Sequence, residues 1–125
     1  MKIRNLDHIV LTTSDLEACI HFYSDILGMQ HRVDHGQHAL FFGNQKINIH
    51  TYAGEFQPAA GNIAVGSQDF CLIVEDNIDA VKEEILMKGW TVIEGVVERF
   101  GALGVMKSIY MYDPDGNLVE LAQYQ

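Results

Sequence analysis

The chain carries the same segment twice. Leu11, Asp15, Ile20 and Gly28 are matched 61 positions later by Leu72, Asp76, Val81 and Gly89. A match that runs through apolar, capping and terminating positions together marks a duplicated supersecondary unit rather than a chance motif. In the first copy, residues 7–13 alternate as a strand does, and Ser14 with Glu17 forms an S-x-x-E capping box. Leu16, Ile20, Tyr23 and Leu27 then recur at helical spacing up to Gly28. Strands are predicted at 29–35, 38–42 and 46–52, divided by Gly36-Gln37 and Gly43-Asn44.

Residues 53–67 carry a proline and several glycines with little periodicity and are expected to be a linker. Then "DFCLIVED" predicts a strand and "NIDAVKEEILMK" a helix that stops at Gly89. Further strands are expected near 91–94, 106–112 and 117–124, with 95–105 as a long loop and "DPDGN" as a turn. The expected fold is α+β, two tandem βαβββ modules. Module one spans 1–53, the linker 54–67 and module two 68–125, all within one domain.

Composition narrows the function classes. With 48% apolar and 20% charged residues the chain is an ordinary globular one. Its net charge of −9 repels phosphate backbones and anionic lipid, so neither nucleic acid nor membrane is an expected partner. No segment has the pattern of a signal peptide or a membrane span, and a cytoplasmic location is expected. Cys19 and Cys71 form no CxxC pair and are expected to be small buried hydrophobes. His21, His31, His35 and His38 are expected to face solvent.

The repeat also places chemistry. At the offset of 61, His8 falls on Asp69; past the longer second loop the offset is taken as 70, and His50 falls on Glu120. Two imidazoles and two carboxylates at symmetric strand positions suit a divalent cation of the Zn, Ni, Co, Mn or Fe type, with coordination positions left for substrate. Glu120 also stands among apolar neighbours, where a carboxylate is costly to bury unless paired or metal-bound.

These residues resemble a known superfamily. The paired modules, the opening "LDHIVLTTSDLEACIHFYSDILGM" and the closing "IYMYDPDGNLVEL" are similar to the vicinal oxygen chelate superfamily. It includes glyoxalase I, fosfomycin-resistance thiol transferases, extradiol dioxygenases and bleomycin-binding proteins. The resemblance covers essentially the whole chain and is strongest to glyoxalase-domain proteins. It implies the glyoxalase/bleomycin-resistance/dihydroxybiphenyl-dioxygenase fold, with the modules forming a curved mixed sheet. It also implies one divalent metal per site on His8, His50, Asp69 and Glu120. In catalytic members the Asp69 position is commonly histidine, and in glyoxalases the His50 position is often glutamate, so nitrogen and carboxylate exchange places here.

A glyoxalase I-like lyase is the favoured activity the resemblance implies. Glu120 would be the base, and glutathione or another thiol a co-substrate. Arg99, Ser108 and Tyr110 are expected to contact the substrate. The alternatives are a protein that sequesters a small molecule without chemistry, a fosfomycin-type thiol transferase and an extradiol dioxygenase. A homodimer is expected.

Overall fold

A computed structural model describes residues 1–125. Its elements run β1 (His8–Thr12), α1 (Leu16–Ile20, continuing as a π-helical turn over His21–Ile26), β2 (Gln30–Asp34), β3 (Gln37–Phe42) and β4 (Gln45–His50). After these come β5 (Asp69–Ile73), α2 (Ile78–Met87), β6 (Glu94–Gly101), β7 (Gly104–Tyr112) and β8 (Leu118–Tyr124). The chain divides into two compact units, 1–66 and 67–125. Each holds one four-stranded mixed sheet, ordered β1-β4-β3-β2 in the first and β5-β8-β7-β6 in the second. In both, the opening strand lies parallel to the closing one while the hairpin neighbours are antiparallel.

Each sheet has one apolar and one polar face, as period-two alternation requires. In the first unit Leu11, Leu40, Ile47 and Ile49 are buried, as are Cys19, Phe22, Tyr23 and Ile26 of the helix. The N-cap of α1 is Asp15 rather than the expected Ser14, and its side chain accepts from the Ala18 amide at 3.1 Å. In the second unit Ile109, Met111, Val119 and Leu121 are buried, and α2, with Ile78 and Ile85 buried, packs on β6, β7 and β8. Asn77 caps α2 by accepting from the amides of Asp79 and Ala80.

The two closing hairpins differ. Only Gly43 and Asn44 separate β3 from β4, whereas residues 113–117 separate β7 from β8. The longer turn is a buried polar knot. Asp113 accepts from the Asn117 amide at 2.9 Å and from its side-chain nitrogen at 2.8 Å. Asn117 in turn accepts from the Gln68 amide ahead of β5 at 2.8 Å. Both side chains are buried, so each bond replaces a water contact that the site cannot provide.

Two expectations are corrected on the β6–β7 side. The predicted loop 95–105 is mostly strand, since β6 runs Glu94–Gly101 rather than 91–94. A bulge between Gly95 and Val97 shifts the register by one residue, so that Glu94 faces Tyr110 but Arg99 faces Met106. Because side chains alternate across a strand, that extra residue returns Arg99 to the sheet face of Ser108 and Tyr110. Only glycine fits at the bulge. Gly95 has φ +132°, and a Cβ there would lie 2.8 Å from the Ile109 Cα and the Ser108 carbonyl oxygen.

Candidate functional site

The polar face of the second sheet gathers four of the expected residues. Register places Cys71, Glu120, Tyr110 and Glu94 side by side across it, with Ser108 and Arg99 in the adjoining rows. The fully buried Ser108 hydroxyl donates to Glu120 Oε2 at 2.6 Å, a short charge-assisted bond that fixes the carboxylate. The Tyr110 phenol and the Cys71 thiol stand beside the same carboxylate in the sheet register, and its charge acts on both. Arg99 Nε donates to the Tyr110 hydroxyl at 3.0 Å. A guanidinium has no acceptor, so in this bond Arg99 donates and the Tyr110 oxygen accepts.

The electrostatics follow from this crowding. Partial desolvation first, then the charge and hydrogen bond of Glu120, push the Cys71 thiol up to about 12 from 9.0. Desolvation also holds the Tyr110 phenol above its usual range, helped by Glu120 and opposed by Arg99. Both groups therefore remain protonated at neutral pH.

Two expected substrate contacts, Arg99 and Ser108, have partners within the chain. Arg99 is not a free loop cation. Its Nη1 donates to the Glu98 carbonyl at 2.9 Å and its Nη2 reaches Glu94 at 3.4 Å. Ser108 has no exposed surface, and its hydroxyl is bonded to the Glu120 carboxylate. Cys71, expected to be buried, is exposed, and only Cys19 is enclosed.

In the first unit the register corrects the symmetry argument. His8 stands opposite Lys46, and Asp69 opposite Leu118, an offset of 72 rather than 70 along the closing strand. Glu120 lies two residues past Leu118, so its counterpart is Asn48, and the counterpart of His50 is Ala122. His50 pairs with Thr12, four residues or about 13 Å along the strand from the level of His8. The longer turn at 113–117 is the physical cause.

Asn48 and His50 share the polar face and are both buried, and Asn48 Oδ1 and His50 Nδ1 have no hydrogen-bond partner. Phe56, from the expected linker, packs edge-on against His50 with ring centroids 5.2 Å apart. His8 Nδ1 meets Asp7 Oδ1 at 2.8 Å, which fixes the ring and leaves Nε2 available. Asp69 is exposed at the start of β5. No three His, Cys, Asp or Glu side chains gather in a way that could hold a metal. His31 and His38, expected in solvent, instead share a hydrogen bond of 2.9 Å between Nε2 and Nδ1 across the β2–β3 hairpin.

Sequence signals for the missed features were slight. Asn48 sits in "INIH" at the alternation of a half-buried strand, but its importance depends on register. Gly95 in "IEGVV" is the kind of isolated strand glycine that marks a bulge.

Comparison with known proteins agrees with this architecture. The sequence profile of the Glyoxalase/Bleomycin resistance protein/Dioxygenase superfamily matches residues 5–121. The virulence protein STM3117 of Salmonella typhimurium is 46% identical over 125 residues, covering 99% of this chain and 87% of that protein. Human mitochondrial methylmalonyl-CoA epimerase is 33% identical over 135 residues, covering 98% of this chain and 75% of that protein. An integron cassette protein from the mobile metagenome of V. cholerae superposes with a TM-score of 0.96 at 44% identity, covering 100% of this chain and 98% of that one. No helix of the chain is long and apolar enough to cross a membrane.

Proposed function

The chain belongs to the Glyoxalase/Bleomycin resistance protein/Dioxygenase superfamily, and on that premise we propose that it is a divalent-metal-dependent enzyme of the glyoxalase I-like type. Glu120 is the carboxylate that moves a proton at a substrate carbon flanked by oxygens. The observation that carries this reading is the Glu120 cluster: a carboxylate held by the Ser108 hydroxyl and flanked by Tyr110 and Cys71 on the polar face of the second sheet. Such holding restricts the carboxylate to one orientation, which proton transfer rewards and simple packing does not require.

The donor types are ones a divalent metal takes, although no three His, Cys, Asp or Glu side chains gather here. His8, Asn48, Asp69 and Glu120 would hold it, with Asn48 taking the place that the sequence assigned to His50. Support comes from the buried, unpartnered Oδ1 of Asn48 and from the His8 ring fixed by Asp7 with Nε2 left over. A divalent cation bound there would polarise neighbouring substrate oxygens and make the carbon between them more acidic. Ser108 then holds Oε2, Tyr110 stands beside the same carboxylate as a neutral phenol, and Arg99 positions Tyr110. One nitrogen against three oxygen donors favours harder cations such as Mn²⁺ over Zn²⁺. The same reading takes a small-molecule substrate and places the chain in the cytoplasm as a homodimer.

Isomerisation of a hemithioacetal, assayed with Mn²⁺, Co²⁺, Ni²⁺ and Zn²⁺ in turn, tests the proposal. At least one metal is expected to give turnover that Glu120→Ala abolishes. Turnover no greater than that of Glu120→Ala with every metal overturns it. The competing reading, sequestration of a ligand without chemistry, draws on the fact that no three donors gather. Less than about a tenth of an equivalent of metal after reconstitution would favour it.

A further inference from the structure

The polar face of the first sheet carries two cations without an acidic partner. Arg32 on β2 and Lys46 on β4 flank Phe41 on the strand between them. The Arg32 guanidinium lies 4.3 Å and the Lys46 ammonium 5.7 Å from the ring centroid. Neither is in an ion pair, in a chain with seventeen acidic and eight basic residues. The nearest acid along β2, Asp34, meets His35 at 2.9 Å instead. By contrast Lys88 and Arg99 both reach carboxylates, Glu84 and Glu94.

We propose that Arg32 and Lys46, held on Phe41, form a clamp for a small-molecule anion bearing a carboxylate or phosphate group. The ring occupies the flat face of the Arg32 guanidinium, and Gln30 accepts from Nη2 at 2.9 Å. This fixes the plane and leaves the other N–H groups for an anion's paired oxygens. Lys46 adds a point charge. Both centres reach one ring, which bounds their separation at about 10 Å, close to one Debye length, so a single anion feels both.

Register sets the clamp beside the first-module donors. Lys46 is in the row of His8, and Arg32 is in the row of Asn48 with only the small Ala39 between. The clamp therefore names the substrate class as an anion, a step that rests on the proposed function; the anion site itself stands on the geometry of this sheet. It also supplies the cationic contact that Arg99, already engaged, does not.

Titration of the 125-residue chain with malonate and, separately, inorganic phosphate tests this, with the Phe41 ring resonances as the readout. Saturable shifts are expected, with affinity falling as sodium chloride rises from 50 to 300 mM. Arg32→Gln or Lys46→Gln should weaken binding at least fivefold, and the double variant should abolish it. Lys88→Gln should leave it unchanged, and circular dichroism checks that each variant is folded. Stronger binding of malonate assigns a carboxylate and stronger binding of phosphate a phosphoryl group. Absence of saturation at Phe41 with both anions, or a double variant within twofold of wild type, overturns the proposal. The anion titration is read without metal and without turnover, so failure of the catalytic reading and failure of the clamp are separately visible.

Discussion

Asn48 stands in the first module where Glu120 stands in the second. Each lies two residues past the closing-strand residue that faces the opening donor, Lys46 opposite His8 and Leu118 opposite Asp69. One position is a neutral amide and the other a carboxylate, so the duplication kept the place and changed the charge.

Metal affinity should respond to that difference. Asn48→Asp replaces a neutral oxygen donor by an anionic one and is expected to tighten Mn²⁺ binding at least tenfold, about 1.4 kcal/mol. Equilibrium dialysis with metal analysis measures it. An unchanged affinity, or a loss in His50→Ala as large as in Asn48→Ala, would return His50 to the donor set.

Ser108→Ala removes the 2.6 Å bond to Glu120 Oε2 from a site with no exposed surface. The expected cost is about 1–3 kcal/mol in urea unfolding, since one donor to a charged group is lost. Turnover should fall while KM for the same substrate changes little, the signature of a positioning residue. Ser108→Thr, which keeps the hydroxyl, should recover part of the loss.

Cys71 should be a slow nucleophile despite its exposure. Its thiol, pushed up to about 12, remains protonated through pH 9, so carboxymethylation in a Cys19→Ser background should rise only toward pH 12. The fold favours the protonated thiol, so this contribution to stability is full below pH 9, the unperturbed value, and is lost as pH rises toward 12. Glu120→Gln should move the reactivity midpoint down. A midpoint near 9 in the unaltered chain would contradict the contact.

Gly95→Ala is expected to destabilise the protein by about 2–3 kcal/mol, from both its positive φ and the added Cβ 2.8 Å from the Ile109 backbone. Loss of the bulge would turn Arg99 away from Tyr110. The Tyr110 phenol should then titrate at a different pH, read by ultraviolet absorbance, and an unchanged titration would show that the bulge does not place Arg99.

Local pattern sufficed for much of the molecule. Alternation and helical spacing are properties of a few consecutive residues, which is why the twofold βαβββ order, the Gly28 and Gly89 stops and the DPDGN turn were all legible. The placing of Glu120, Ser108 and Tyr110 on one sheet face follows from the same alternation once β7 and β8 are paired.

Pairing register was decided by the tertiary structure. Five residues rather than two close the second hairpin, and one extra residue sits at Gly95; these two details moved the symmetric position from His50 to Asn48 and brought Arg99 round to Tyr110. A strand's own sequence fixes which residues alternate. Which neighbour each one meets depends on turn length and bulges, and a slip of one residue exchanges the faces.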